Sequence, residues 1–176
     1  MKIKDQLNKT IDISGIPRRI ISLVPSQTEL LYYLGLENEV VGITKFCVHP
    51  SHWHKTKTKV GGTKQYNLEL IDKLQPDLII ANKEENIKNG IEVLSQKYPV
   101  WISDIKTLDD AFNMILRIGE LVNREEAAQN LAKILKLRFS NLNFTKKHRV
   151  AYFIWRNPYM VAANDTFINE MLKILF

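Results

Sequence analysis

Apolar stretches alternate with helical patterns along most of this chain. Residues 20–24 form a continuous β-branched and aliphatic stretch around one serine, which is typical of a buried strand. Leu30, Leu31 and Leu34 then recur at helical spacing, and Gly35 supplies the left-handed position at which a helix ends. Because such strand and helix units repeat, the pattern predicts a Rossmann-like α/β lobe with a parallel sheet covered by helices.

Further elements follow in the same order. Ser26 with Glu29 has capping-box spacing, and Asn67 is a plausible cap for the next helix. The stretch 44–66 contains one cysteine, three histidines and two adjacent glycines, and it is predicted to be a loop. Three more strands are predicted, at 40–43, 77–81 and 100–102.

Helical spacing then runs from Thr107 to Val122 and resumes after Asn123 to about Phe139. This is the longest helical region of the chain, with Thr107 and Asp110 as a cap pair. Its length suits a spacer. A strand at 149–155 and a helix at 166–176 follow, but one strand and one helix cannot bury a sheet, so a second lobe looks incomplete. The predicted parts are an α/β lobe (1–105), a long inter-lobe helical region with linker (106–147), and the start of a second α/β lobe (148–176).

Composition narrows the class of protein. With 176 residues and 45% hydrophobic content, the chain has enough apolar side chains for a core. The net charge of +6 comes from scattered Lys and Arg without a reader motif, so no nucleic-acid partner is expected. No apolar run is long enough for a membrane span, and the first residues lack the apolar core of a secretory leader. Either a leader has been removed or none exists.

Candidate binding residues follow the predicted strands. Carboxyl ends of parallel strands meet at one edge of a sheet, where ligands of open α/β folds gather. The residues placed there, together with Tyr66 from the end of the 44–66 stretch, are Pro25, Ser26, Gln27, Phe46, Cys47, His49, Asn82, Lys83, Glu84 and Asp104.

The cysteine and histidines of the 44–66 stretch allow two interpretations. Thiolate and imidazole are good zinc or copper ligands, but the spacing of Cys47, His49, His52 and His54 fits no standard closed site. The alternation of His52 and His54 around Trp53 is more typical of a polar loop. His49, nearest the strand end, is the strongest candidate to face a ligand or metal.

Catalytic motifs are missing from the sequence. The chain contains no Gly-x-Ser-x-Gly elbow, phosphate loop or dinucleotide fingerprint. The neighbouring Glu84 and Glu85 are either a carboxylate pair or acids at a helix start, where they complement the helix dipole. A binding protein rather than an enzyme is therefore expected.

Several strings resemble one family in order and spacing. They are RIISLVPSQTELL at 19–31, LGL at 34–36, VGIT at 41–44, NLELI at 67–71 and KLQPDLII at 73–80. They resemble helical-backbone metal receptors, the periplasmic substrate-binding proteins of ABC importers for cobalamin, haem and ferric siderophores. The resemblance implies two α/β lobes joined by a long helix, for which the region from Thr107 to Phe139 is the match.

The same resemblance implies the ligand, partners and location. The ligand is a metal-containing chelate held between the lobes, with no tightly bound cofactor. The partner is an ABC-type permease, the receptor is a monomer, and its place is the periplasm or the cell surface. The alternative is a cytoplasmic enzyme or corrinoid-handling module on the same fold, because no leader is visible.

Individual residues take roles from the resemblance. Phe46 matches an aromatic residue that flanks the corrin of cobalamin receptors. Two other positions that are aromatic in such a receptor correspond approximately to Thr63 and Asn82, which is a departure from the cobalamin pattern. Glu69 matches an acidic contact to the permease. Its other interpretation is an ordinary first-turn helix acid.

The segment from Trp155 to Tyr159 resembles the part of the second lobe that approaches the ligand from the opposite side. Trp155 and Tyr159 can stack on a flat macrocycle, and Arg156 can pair with carboxylates or chelate oxygens. The other interpretations are a Trp155 buried in the sheet and an Arg156 that is a surface charge.

Overall fold

The computed structural model of the chain describes residues 1–142 and 148–176. Its strands are β1 (Lys2–Lys4), β2 (Thr10–Asp12), β3 (Ile20–Ser22), β4 (Val40–Ile43), β5 (Thr58–Lys59), β6 (Leu78–Asn82), β7 (Val100–Ser103), β8 (Phe153–Trp155) and β9 (Met160–Val161). Its helices are α1 (Pro25–Tyr33), α2 (Ser51–Thr56), α3 (Leu68–Leu74), α4 (Lys88–Ser95), α5 (Leu108–Leu121), α6 (Glu125–Ser140) and α7 (Phe167–Leu175).

A parallel sheet of five strands, in the order β5-β4-β3-β6-β7, forms the centre of the first part of the chain. Successive residues of a strand point to opposite faces, so Ile20 and Ile21 enter two different apolar cores, one on each side of the sheet. Both side chains are fully buried. The predicted α/β class with a helix-covered parallel sheet is confirmed.

The stretch 44–66 is more ordered than predicted. It contains the short helix α2 and the edge strand β5, which pairs with β4. Trp53 of α2 is fully buried and anchors this stretch in the core. The prediction of a simple loop is therefore wrong. The sequence did not reveal α2 and β5 because elements of six and two residues are too short to show a hydrophobic period. The antiparallel β1–β2 hairpin at the amino terminus was also not predicted.

The predicted single long helix is two helices. Helix α5 ends at Leu121 and α6 begins at Glu125, with Asn123 between them at φ 55°. The two helices pack tightly: a Cβ placed on Gly119 would come within 2.3 Å of the Ala128 Cβ. The apolar period stops at four polar residues, 123–126, and the left-handed Asn123 marks the break.

Helix starts were predicted with mixed success. The Thr107–Asp110 capping box and the Asn67 cap, which accepts a hydrogen bond from the Leu70 amide at 3.0 Å, are both confirmed. The capping role of Ser26 is wrong. Helix α1 begins at Pro25, one residue earlier, and no side chain caps it. Proline suits this first position because its missing N–H would have no helical partner there.

Residues 148–176 form a separate set of elements in the described chain. Strands β8 and β9 pair antiparallel, so the predicted strand at 149–155 is shorter and belongs to a hairpin. The predicted last helix is present as α7. None of these residues is buried. The division into 1–105, 106–147 and 148–176 stays a proposal, and residues 143–147 of the second part lie outside the described residues.

No helix within the described residues is both long and apolar enough to cross a membrane.

Candidate functional site

The carboxyl ends of the five parallel strands share one edge of the sheet, which we call the rim. It comprises Asn82, the last residue of β6, and residues 23–26, 44–47, 60–65, 83–85 and 104, each directly after a strand. The predicted site residues from strands β3, β4, β6 and β7 therefore lie along one edge, as expected for a parallel sheet.

Phe46 is the aromatic side chain that the rim presents. It is 50% exposed, although large apolar side chains next to a core are usually covered. The Lys45 ammonium lies 5.2 Å from the centre of the ring. On another side the ring meets Gly62, where a Cβ would lie 3.2 Å from the Phe46 Cε2. A glycine thus lets the ring pack directly against backbone.

A pocket of about 500 Å³ opens beside this ring, lined by Lys45, Phe46 and residues 61–65. We call residues 61–66 the rim loop. It is closed by a hydrogen bond from the Gly62 amide to the Gln65 carbonyl, at 2.8 Å. Gly61 has φ 115°, and a Cβ there would lie 2.3 Å from the Gln65 carbonyl oxygen. Residues 61–65 were not among the predicted site residues, although the Gly61–Gly62 pair was a signal for close backbone approach.

Lys83 and Asp104 meet on the other half of the rim. Their Nζ and Oδ2 atoms form an ion pair at 2.6 Å. Asp104 is also held through its amide, which donates to the Gln6 Oε1 at 3.1 Å. Its Oδ1 is buried without a hydrogen-bond partner among the described residues. Gln6 was missed because it comes from the short amino-terminal hairpin.

Asn82 is occupied by the turn that follows β6. Its Oδ1 accepts the amides of Glu84 and Glu85 at 2.9 and 3.1 Å, and its Nδ2 donates to the Ser103 Oγ at 3.0 Å. Both glutamates are exposed. They precede α4, whose first turn contains no acidic residue, so their interpretation as helix-start acids is wrong.

A layer of buried hydroxyl groups lies beneath the rim around Cys47. The Cys47 sulfur is 3.1 Å from the Thr28 Oγ1 and 3.2 Å from the Thr44 Oγ1. Cys47 is fully buried. This corrects the prediction of a ligand contact: the thiol packs in the core under the rim. Of its predicted neighbours, Pro25 is partly exposed and Ser26 exposed, whereas Gln27 is buried and donates to the Ser103 Oγ.

The histidines do not gather into a metal site. His52 lies 3.2 Å from the Glu37 carboxylate, and the His54 Nδ1 lies 3.3 Å from the Cys47 carbonyl. His49 is exposed. Within residues 1–142 and 148–176, no group of three or more His, Cys, Asp or Glu side chains has the geometry to hold a metal ion. Cys47 and these histidines therefore do not form a common cluster within the described residues.

Glu37 is the centre of a small set of polar contacts beside α2. It accepts the Trp53 indole N–H, faces His52 and lies 3.6 Å from the Lys57 ammonium. These contacts, the Trp53 hydrogen bond first, lower the pKa of the Glu37 carboxyl. A lowered pKa in the folded state means that the carboxylate stabilises the fold above its unfolded pKa, and that this stabilisation is lost as the pH falls through the folded pKa.

Glu37→Gln should therefore destabilise the chain at pH 7 and lose this effect in acid. We expect the difference in the free energy of unfolding between wild type and variant to shrink between about pH 5 and pH 3. Urea denaturation at several pH values measures it. Because the carboxyl is half exposed, we expect the difference at pH 7 to be small. A difference that does not change with pH would contradict the role of the Glu37 charge.

The remaining predicted residues lie in different places. Tyr66 is partly buried, and its hydroxyl donates to the Thr63 carbonyl at 2.6 Å. Glu69 is exposed in the first turn of α3. Trp155 is 63% and Tyr159 71% exposed, so the interpretation of a buried Trp155 is wrong. Arg156 is exposed as well.

Known proteins are similar to this chain in sequence. A substrate-binding lipoprotein of an ABC transporter from Bacillus subtilis, itself of uncharacterised function, is 30% identical over 98% of this chain and 58% of its own length. A vitamin B12-binding protein of Pectobacterium atrosepticum is 30% identical over 78% of this chain and 50% of its own length. This chain therefore spans between half and three fifths of these two relatives.

Solved structures agree in fold. The periplasmic vitamin B12-binding protein of Vibrio cholerae superposes with a TM-score of 0.76 at 25% identity, over 90% of this chain and 64% of that one. A possible iron-binding periplasmic protein of Staphylococcus epidermidis reaches 0.77 at 30% identity, over 92% and 66%. The model of a family described as periplasmic binding proteins matches residues 20–176. With the parallel sheet and its rim, this match establishes that the chain belongs to the periplasmic binding protein family.

Proposed function

We propose that this chain is the ligand-capturing part of a substrate-binding protein that serves an ABC-type importer. Its cargo is a metal-containing chelate: a corrinoid, haem or a ferric siderophore. The chelate is transported cargo, not a tightly bound cofactor, and the protein binds it without catalysis. Names of the matched relatives support this class, since they include vitamin B12-binding, haem-binding and siderophore-binding proteins.

The observation that carries the proposal is the half-exposed Phe46 beside a pocket at the carboxyl ends of the strands. An exposed ring next to a concave surface offers a flat apolar face on which a macrocycle or an aromatic chelator can stack. Lys45 and Lys64 line the same pocket, and none of its lining residues in the described part of the chain is acidic. The electrostatics therefore favour a chelate that carries negative groups.

A second wall would complete the capture. We propose that residues 148–176 begin a second lobe, and that Trp155, Arg156 and Tyr159 approach the chelate from the side opposite Phe46. This proposal rests on the resemblance of the segment from Trp155 to Tyr159 to the ligand-facing part of the second lobe. On this proposal the helical region of α5 and α6 connects the two lobes, and the receptor works as a monomer in the periplasm or at the cell surface.

A titration tests the capture directly. Purified protein is titrated with cyanocobalamin, cobinamide, haemin and a ferric siderophore, with tryptophan fluorescence as the signal. We expect saturation by one class of chelate, and Phe46→Ala should weaken its binding at least about fivefold, because a lost aromatic stack removes roughly 1 kcal/mol or more.

Tyr33→Ala is the matched control. Tyr33 is 53% exposed, like Phe46, but lies at the far end of α1, so its loss should leave the affinity unchanged. Equal affinity of wild type and Phe46→Ala for the bound chelate would contradict the stacking role. Chemical conversion of the chelate during the titration would instead favour an enzyme or corrinoid-handling module.

Delivery requires contact with a permease, and we propose Glu69 for this contact. Its carboxylate is exposed at the start of α3, and no ion pair within the described residues occupies it. An unpaired acidic group on the surface can meet a basic pocket of a partner without first breaking a contact.

A further inference from the structure

One buried side chain, Asn86, ties together three segments of the rim. It is only 7% exposed. Its Oδ1 accepts the Asn82 amide at 2.8 Å, and its Nδ2 donates to the carbonyls of Leu23 at 3.3 Å and Thr63 at 3.1 Å. These partners belong to the end of β6, the segment after β3 and the rim loop. A single amide therefore joins the central strands to the loop that lines the pocket.

The chemistry of these contacts calls for an amide at position 86. Two carbonyl oxygens need a donor and one backbone N–H needs an acceptor, and a primary amide supplies both from one planar group. The opposite orientation of the amide would place its oxygen against both carbonyls. An aspartate would face the same repulsion, because an ionised carboxylate only accepts hydrogen bonds.

The Thr63 carbonyl has a second anchor in Tyr66, whose hydroxyl donates to it at 2.6 Å. The Tyr66 ring is itself held closely against α4, since a Cβ on Gly90 would come within 2.6 Å of the Tyr66 Cε2. The rim loop is thus held at its middle by two donors and closed at its base by its own backbone bond. Gly62 of this loop is also the surface on which Phe46 rests.

We infer that Asn86 is a positioning residue for ligand capture, which fixes the rim loop and thereby the pocket and the ring of Phe46 before the chelate arrives. A binding surface held in place by buried hydrogen bonds loses less conformational freedom when it binds. This inference rests on the proposed function. Asn86 itself is buried and acts through Thr63 and the loop.

The test compares Asn86→Ala, Asn86→Asp and Tyr66→Phe with the wild type. Hydrogen exchange of the amides of residues 61–66, measured without ligand, reports how firmly the loop is held. We expect exchange to be about tenfold faster in Asn86→Ala, at least as fast in Asn86→Asp, and less accelerated in Tyr66→Phe, which keeps the Asn86 anchor. The variants should weaken the binding of the chelate that the wild type binds, among cyanocobalamin, haemin and a ferric siderophore, in the same order as they accelerate exchange. The loss of affinity should be about tenfold for Asn86→Ala.

Val100→Ala separates positioning from general loss of stability. Val100 is buried at the amino end of β7, on the edge of the sheet opposite the rim. This variant should lower the melting temperature but leave loop exchange and affinity unchanged. Combining Asn86→Ala with Phe46→Ala should give less than the product of the two single effects on affinity, because both act on the same part of the pocket.

Wild-type loop exchange in Asn86→Ala would overturn the inference, as would effects on affinity that simply multiply in the double variant. If the wild type bound none of the three chelates, the proposed function would fail. The exchange measurement would then still decide whether Asn86 holds the loop.

Discussion

Gly61→Ala should lower the affinity for the chelate by more than about tenfold while the sheet stays folded. Gly61 has φ 115°, a region that L side chains rarely adopt, and an added Cβ would lie 2.3 Å from the Gln65 carbonyl oxygen and 3.1 Å from the Tyr66 Cα. Both contacts are with backbone, so relief requires the rim loop to open. The strain costs about 1–3 kcal/mol, and the pocket beside Phe46 loses its shape.

The measurement is a chelate titration together with circular dichroism and thermal unfolding. Gly35→Ala is the matched control, because Gly35 also has a positive φ, of 76°, but no atom lies within 4 Å of a Cβ placed there. It ends α1 away from the rim, so it should share some loss of stability and none of the loss of affinity. Wild-type affinity in Gly61→Ala would show that the rim loop does not form the binding surface.

Glu69→Arg should reduce chelate uptake at least about tenfold and leave the affinity for the chelate unchanged. Reversing an exposed charge opposite a basic partner replaces attraction with repulsion, which costs several kcal/mol at an interface. Glu69 lies in the first turn of α3, outside the pocket, so the chelate should not sense the change. Uptake is measured in cells in which import depends on this protein, and binding is measured on purified protein.

Glu126→Arg supplies the comparison. Glu126 is an exposed acid in the first turn of α6, so its replacement by arginine makes the same change of charge. It also places the same unfavourable positive charge next to the positive end of a helix dipole. Uptake should remain normal in this variant. If Glu69→Arg transported as well as Glu126→Arg, the exposed acid of α3 would be an ordinary helix-start residue.

Much of the fold could be predicted because its signals are long and redundant. The first four residues of β6 are an uninterrupted apolar run, and the capping box at Thr107 indicates the start of α5. Position along a parallel sheet then places Phe46, Lys83 and Asp104 on one edge without knowledge of any contact. The pairing of Lys83 with Asp104 was not predicted, because it depends on the neighbouring positions of β6 and β7 in the sheet.

What could not be predicted depends on contacts between residues distant in the sequence. Gln6 reaches the Asp104 amide from the amino-terminal hairpin, and Asn86 reaches Thr63 across 23 positions. Cys47 follows β4 and was therefore predicted to lie on the rim, yet its side chain points into the core. There the Thr28 hydroxyl of α1 donates to its sulfur, and the Thr44 hydroxyl after β4 lies beside it. None of these outcomes leaves a periodic signal in the sequence.

Mapping of the bound chelate onto backbone amides tests the rim most directly. Amide chemical shifts of isotope-labelled protein are recorded with cyanocobalamin, gallium protoporphyrin and a gallium-loaded siderophore, which are diamagnetic. Binding at the rim predicts that the largest changes fall on Ser26, Phe46, Lys83 and residues 61–65. Changes concentrated at the opposite edge of the sheet, around residues 9–12 and 95–100, would contradict capture of the chelate by the rim.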